Sequence, residues 1–236
     1  MKNIKYLTQF IFLFLLFGIF KILGLKLSLL ISKFIFTHMG PFFRSNIISQ
    51  INLSHAFKDI NKSHRDKIIK KMWENYGKIF AEYMFIKQFR KKPEFSKKIF
   101  IENDQIINEI KESSEPVIFI SGHFNNFELM AMQIEKSGIN LTAIYRPLNN
   151  IFLNPIMERI RKKYICRNQI KKGISGMKDL LKSFKDKSSI ALMIDQRVSE
   201  GIRSNFFGKE ALTTTIPAQF VKKFNTKIVP VYIERL

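Results

Sequence analysis

The sequence predicts an α/β fold: a mixed, largely parallel sheet flanked by helices, with an N-terminal membrane-anchor helix and a helical lead-in region before it. Three observations carry this expectation. A charge-free apolar run opens the chain, helical periodicity follows it, and beyond Phe100 short apolar runs alternate with helical stretches. They divide the 236 residues into a membrane anchor and interfacial segment at 1–40, a helical lead-in at 41–100 and an α/β domain at 101–236. A chain of this length holds one good-sized core plus an attached segment.

Phe10–Phe20 reads FIFLFLLFGIF, and from Leu7 to Leu25 the only charge is Lys21. At about 1.5 Å per residue such a helix reaches the thickness of a bilayer core. A cleaved signal peptide would need small residues at its end, and Gly24-Leu25-Lys26-Leu27 offers none of the required pattern. Apolar residues continue to Phe36 with Lys26 and Lys33 interleaved, as in a helix lying in the interface. Dense Lys and Arg after the segment place the main domain on the cytoplasmic side, although Lys2 and Lys5 sit on the other flank.

Between 41 and 100, Phe57, Ile60, Ile68, Ile69, Met72, Trp73, Tyr76, Ile79 and Phe80 recur at helical spacing. Ser63 before Asp66 is the expected N-terminal cap, and Arg90-Lys91-Lys92-Pro93 ends the region. Beyond Phe100, strands are expected at Val117–Ile120, Leu141–Tyr145, Ser189–Ile194 and Lys227–Ile233. Helices are expected at Asn125–Lys136, Pro155–Tyr164, Ile174–Phe184 and Thr215–Phe224. Connections this short fit parallel strands.

Lys and Arg number 40 against 19 Asp and Glu, a formal charge of +21. Such a field attracts anionic partners, whether nucleic acid, an acidic protein or an anionic bilayer. The excess of Lys over Arg, 30 to 10, is also what an AT-rich coding sequence produces. A single cysteine, Cys166, forms no internal disulfide and points to a reducing compartment.

Of the histidines, His123 alone lies in the α/β region, directly after the VIFI strand in Ser121-Gly122-His123-Phe124-Asn125-Asn126-Phe127-Glu128. The exit of a strand into a helix is where such sheets place functional groups. Gly122 permits a tight turn, and Asn125 or Asn126 can cap the helix. Residues five apart on one helix face away from each other. His123 and Glu128 therefore meet only if His123 precedes the helix and Glu128 lies in its first turn. A carboxylate on one imidazole nitrogen leaves the other as a general base for a hydroxyl. The competing interpretation makes His123 a satisfied helix-start residue and Glu128 surface charge. No H-E-x-x-H, G-x-S-x-G, Walker or G-x-G-x-x-G pattern occurs, so neither metal nor nucleotide cofactor is expected. Cys166 reads as a structural thiol.

Several segments together resemble the bacterial lipid A late acyltransferases, the lauroyl/myristoyl branch of the lysophospholipid acyltransferase superfamily. These are the N-terminal anchor, S-G-H-F-N-N-F-E (121–128) as an H-x4-D/E motif, Tyr145-Arg146-Pro147-Leu148-Asn149-Asn150 as a YRP-x-x-N segment, and the basic helix Glu158-Arg159-Ile160-Arg161. Asp195-Gln196, Phe206-Phe207-Gly208 and Pro217-Ala218 follow in order. The resemblance implies transfer of a fatty acyl group from acyl carrier protein to a hydroxyl of a Kdo-bearing phosphorylated glucosamine disaccharide, at the cytoplasmic face of the inner membrane with its anionic lipids. It implies His123 as base and Glu128 as its orienting partner. Arg146 would bind a phosphate or the oxyanion, Arg159 and Arg161 would bind sugar phosphates, and Asn126 and Asp195 would help to form the substrate pocket. For the arginines the alternative is an ordinary surface ion pair, and for Asp195 a turn cap. Another membrane glycolipid or a glycerophospholipid is the alternative acceptor. A non-catalytic, membrane-tethered basic binding protein is the alternative of another class, and no nucleic-acid motif supports it. Family members continue beyond Val229-Pro230-Val231-Tyr232, so the chain is expected to be C-terminally incomplete relative to them.

Overall fold

Every apolar run beyond Phe100 that the sequence marks as a strand forms one. The structure, a computed structural model, describes residues 2–196, 198–199 and 201–236. It begins with six helices among these residues: α1 (Lys2–Phe43), α2 (Ile47–Ala56), α3 (Lys62–Tyr83), α4 (Ile86–Lys91), α5 (Pro93–Ser96) and α6 (Asp104–Ser113). Strands and helices then alternate as β1 (Ile118–Ser121), α7 (Phe127–Lys136), β2 (Leu141–Tyr145), α8 (Leu153–Ile160), β3 (Asn168–Lys171), α9 (Ile174–Lys185) and β4 (Ser189–Met193). A π-helical turn, Arg161–Ile165, extends α8. The hairpin β5 (Ile202–Phe206) and β6 (Lys209–Thr213) precedes α10 (Ile216–Phe224) and β7 (Ile228–Pro230). The chain divides into two compact units, one of Met1–Phe14, Ile86–Gly201 and Thr214–Leu236, the other of Leu15–Phe85 and Ile202–Thr213.

The first unit is built on a parallel sheet of order β3-β2-β4-β1-β7. Its central strands are largely apolar because helices cover both faces. On one face Ile118, Ile190 and Leu192 pack with Leu180 and Phe184 of α9 and Phe220 of α10. Alternate residues point the other way, where Ser121 Oγ lies 3.6 Å from Met130 Sδ of α7. Leu180 is fully enclosed. Leu180→Ala is expected to cost about 2–5 kcal/mol through lost burial and a residual cavity, read as a lowered denaturation midpoint in detergent.

Several sequence expectations need correction. β3 and the β5–β6 hairpin carry too few apolar residues to announce themselves. β7 is shorter than Lys227–Ile233: the strand ends at Pro230, and beyond it the Val231 N–H bond to Ile120 O at 2.9 Å continues the pairing. Helix α3 is capped by Asn61, whose side chain accepts from His64 N–H at 2.8 Å, and Ser63 lies inside its first turn.

In the second unit α1 breaks at Gly24, whose φ of 73° and ψ of 173° suit glycine alone. A straight helix would hold Phe17 and Phe36 about 28 Å apart, yet their rings stand 5.1 and 5.2 Å from that of Phe80. The helix therefore folds back on itself. At the break Ser28 Oγ donates to Phe20 O at 3.0 Å and Gly24 O at 2.7 Å, satisfying carbonyls that the interrupted ladder frees. Gly40 lies against the Trp73 ring and Gly77 against the Ser32 backbone, so small residues set how closely α1 meets α3. By length and composition α1 suits a bilayer, and its Ile4, Phe12, Phe14, Leu15 and Ile22 side chains are exposed.

Candidate active site

Parallel pairing brings the exits of β1 and β4 together. Ser121 is in register with Met193, and two residues beyond each stand His123 and Asp195. Gly122 keeps the turn narrow: a Cβ there would lie 3.0 Å from the Phe124 ring and 3.1 Å from Asp195 Oδ2. Asn125, at φ 39°, completes the bend into α7.

Asp195 clamps His123 twice. The His123 backbone N–H donates to Oδ2 at 2.7 Å, and ring Nδ1 lies 2.8 Å from Oδ1. Burial pushes the Asp195 carboxyl up, but the His123 backbone N–H and imidazole outweigh it and hold the carboxyl below its ordinary 3.8. An ionised carboxylate only accepts, so the proton of this bond sits on Nδ1, and in the neutral ring Nε2 is then the nitrogen that carries the lone pair. The Gln196 side-chain amide stands 3.4 Å from that Nε2. The Phe127 ring meets the imidazole edge-on at 4.8 Å, fixing its plane.

Glu128 occupies the first turn of α7 as expected, but its partner differs from the one expected. Its Oε1 accepts from Arg161 Nε at 2.9 Å and Nη2 at 2.6 Å. Glu128 as a residue is 8% exposed, so its carboxylate is not surface charge. The pairing of His123 with Glu128 is thus replaced by two pairs, His123 with Asp195 and Glu128 with Arg161. The cause is the π-helical turn after α8, which packs on α7 and delivers a guanidinium to the first carboxylate in reach.

Around these pairs a polar frame holds the loop after β2. Tyr145 Oη donates to Glu158 Oε1 at 2.8 Å, and Asn154 donates to the same oxygen at 2.9 Å. The Tyr145 hydroxyl is pushed up to about 12 by burial and by Glu158, while Tyr145, Asn154 and Lys171 draw the Glu158 carboxyl down. The Arg161 guanidinium lies 5.8 Å from the Tyr145 ring centre. Asn150 joins this loop to α1: its side chain accepts from Phe152 and Leu153 N–H at 3.0 and 3.2 Å and donates to Tyr6 O at 2.9 Å. Asn150→Ala is expected to cost about 1–2 kcal/mol through the loss of its bonds to the Phe152 and Leu153 N–H groups in the turn that leads into α8, measurable by thermal unfolding.

His123, Glu128, Arg146 and Arg161 line one cleft of about 530 Å3. Phe127, Met130, Ile134, Leu148, Ile194 and Ile216 supply much of its wall, with Gln196, Lys172 and Asn149 as further polar groups. An apolar trough with cations at its side suits a ligand that is part hydrocarbon and part anion. Arg146 is exposed at the exit of β2. Arg159 is exposed on α8 and Asn126 is buried at the start of α7, and neither contributes to the cleft wall. Asp195 stands behind His123. The sequence offers Asp195-Gln196 only as a matching segment and does not announce that this pair meets the His123 ring. The signal that could have found them is the equal offset of residues 123 and 195 from the ends of adjacent parallel strands.

Cys166 is 1% exposed and its Sγ donates to Leu141 O at 3.0 Å. Burial pushes this thiol up to about 12, which keeps it protonated at neutral pH and fits a structural thiol. Among the described residues, no group of three His, Cys, Asp or Glu side chains is placed to hold a metal ion.

Compared with models of known families, the whole chain, residues 1–236, matches the one described as bacterial lipid A biosynthesis acyltransferase. A comparison with curated proteins gives no match.

Proposed function

The chain belongs to the bacterial lipid A biosynthesis acyltransferase family, and from that premise we propose that it moves a fatty acyl group from acyl carrier protein to a hydroxyl of a Kdo-bearing lipid A precursor, with His123 as general base. The observation that carries the reading is the Asp195 clamp on Nδ1, which turns Nε2 of His123, with the Gln196 amide 3.4 Å away, to the wall of an amphipathic cleft.

The acceptor hydroxyl hydrogen-bonds to His123 Nε2. As its oxygen attacks the thioester carbonyl, the proton passes to Nε2, and Asp195 offsets the charge of the imidazolium. Arg146, exposed on the cleft, offers a cation to the oxyanion or to a phosphate. Collapse breaks the C–S bond, and the imidazolium returns the proton to the departing thiolate. Glu128 serves here as the group that holds Arg161 for a sugar phosphate, while Arg159 and Asn126 act from outside the cleft wall as a second phosphate contact and a turn support.

The acidic carrier and the anionic lipids of the inner membrane suit a chain of charge +21. The catalytic face lies on the cytoplasmic side, held there by α1. Mass spectrometry of lipid A from cells with and without the gene tests the reading. A loss of mass equal to one acyl chain is expected, and unchanged lipid A with altered phospholipid or other glycolipid would reassign the acceptor.

A further inference from the structure

We propose that the tip of the β5–β6 hairpin, Phe206 and Phe207, is a second membrane contact that dips into the headgroup boundary of the bilayer. The strands pair from Ile202 with Thr213 to Phe206 with Lys209, leaving Phe207 and Gly208 as the two-residue loop. Both loop residues have positive φ, 50° and 73°. That turn is ordinarily filled by Asn-Gly or Asp-Gly, because left-handed backbone is costly for a bulky side chain. Here the costly position holds a phenylalanine, and packing does not offset the strain. Phe206 is 65% and Phe207 60% exposed, and their rings lie edge to face at 4.7 Å. A strained and exposed aromatic pair marks a site whose partner is elsewhere.

A bilayer is the partner that the surroundings favour. The hairpin belongs to the same compact unit as most of α1, the long helix with exposed apolar side chains. Aromatic rings settle at the level of lipid headgroups. Lys209 follows the tip directly, and the acidic Glu210 is paired with Arg203 at 3.1 Å, so the hairpin offers a net cation to anionic lipid. A two-stranded hairpin is marginal alone in water and gains order from such a surface. The inference uses none of the cleft residues and stands apart from the acyl-transfer reading.

The test uses the full chain in nanodiscs of phosphatidylethanolamine and phosphatidylglycerol. An NBD fluorophore is attached at Phe207→Cys and, as a control, at the exposed Lys185→Cys on α9; buried Cys166 stays unlabelled. The 207 probe is expected to shift to the blue and to be quenched by headgroup-proximal doxyl lipid at least threefold more than the control. Water-like emission with iodide quenching equal to the control would overturn the proposal. So would a blue shift without doxyl quenching, the signature of cover by protein or by a second copy. In Phe207→Asn, which suits the turn and keeps the hairpin folded, doxyl quenching of a probe at Lys209→Cys should fall at least twofold. Unchanged quenching there contradicts the proposed contact.

Discussion

Alanine in place of His123 is expected to lower the rate of acyl transfer by about 10²–10⁴-fold, the usual contribution of a positioned general base. The fold should survive, because the side chain lies on the cleft wall and contributes little to the core. Asp195→Asn should lower kcat by about 10²-fold or more with KM little changed, since the amide cannot hold the Nδ1 proton as an ionised carboxylate does. Single-turnover rates with an acylated carrier protein separate that loss from binding. The depressed carboxyl of Asp195 adds a second readout. Its contact with His123 stabilises the fold above the ordinary value of 3.8, and this stability disappears as the pH falls through the lower folded-state value. Acid unfolding of Asp195→Asn should lack that component.

Glu128→Ala is expected to destabilise the chain by about 3–5 kcal/mol, because it leaves the Arg161 guanidinium with its main carboxylate gone in a largely enclosed position. The side chains of Arg161 and Glu128 are 15% and 10% exposed, which is too enclosed for water to replace the pair at little cost. Arg161→Ala should lose a comparable amount by stranding the carboxylate. The double variant Glu128→Leu/Arg161→Met should recover most of the stability, as replacement of buried pairs by apolar residues commonly does. It should not recover transfer, because the cation at the cleft wall is gone. Chemical denaturation beside a transfer assay distinguishes the two roles. If stability and activity return together, Arg161 is structural and contacts no acceptor phosphate.

The sheet was legible because its central strands are mostly apolar, with Thr142, Ser189 and Ser121 as the polar exceptions, and parallel order follows from the helices between them. β3, with Ile170 as its one aliphatic residue, and the hairpin, with Arg203, Ser204 and Asn205 in succession, lacked that signal. The fold of α1 back on itself was not legible either. Apolar periodicity measures the length of a helix, and only the left-handed backbone at Gly24 reveals the break. At the candidate site, His123, Glu128, Arg146 and Arg161, which the sequence singles out, line one cleft. Their pairing was not found. Five-residue spacing drew attention to the nearer carboxylate, whereas strand register, a property of distant segments, delivers Asp195 to the imidazole. The placement of Asn126 and Arg159 off the cleft depends on the start of α7 and the rotation of α8, which a cluster of charges in sequence does not specify.

The most direct test is proton NMR of the full chain with ¹⁵N-histidine, comparing wild type, Asp195→Asn and Glu128→Gln. A strongly downfield His123 Nδ1 proton is predicted in the wild type and in Glu128→Gln, and its loss in Asp195→Asn. Persistence of that proton in Asp195→Asn together with its loss in Glu128→Gln would contradict the assignment of Asp195 as the carboxylate that steers the base.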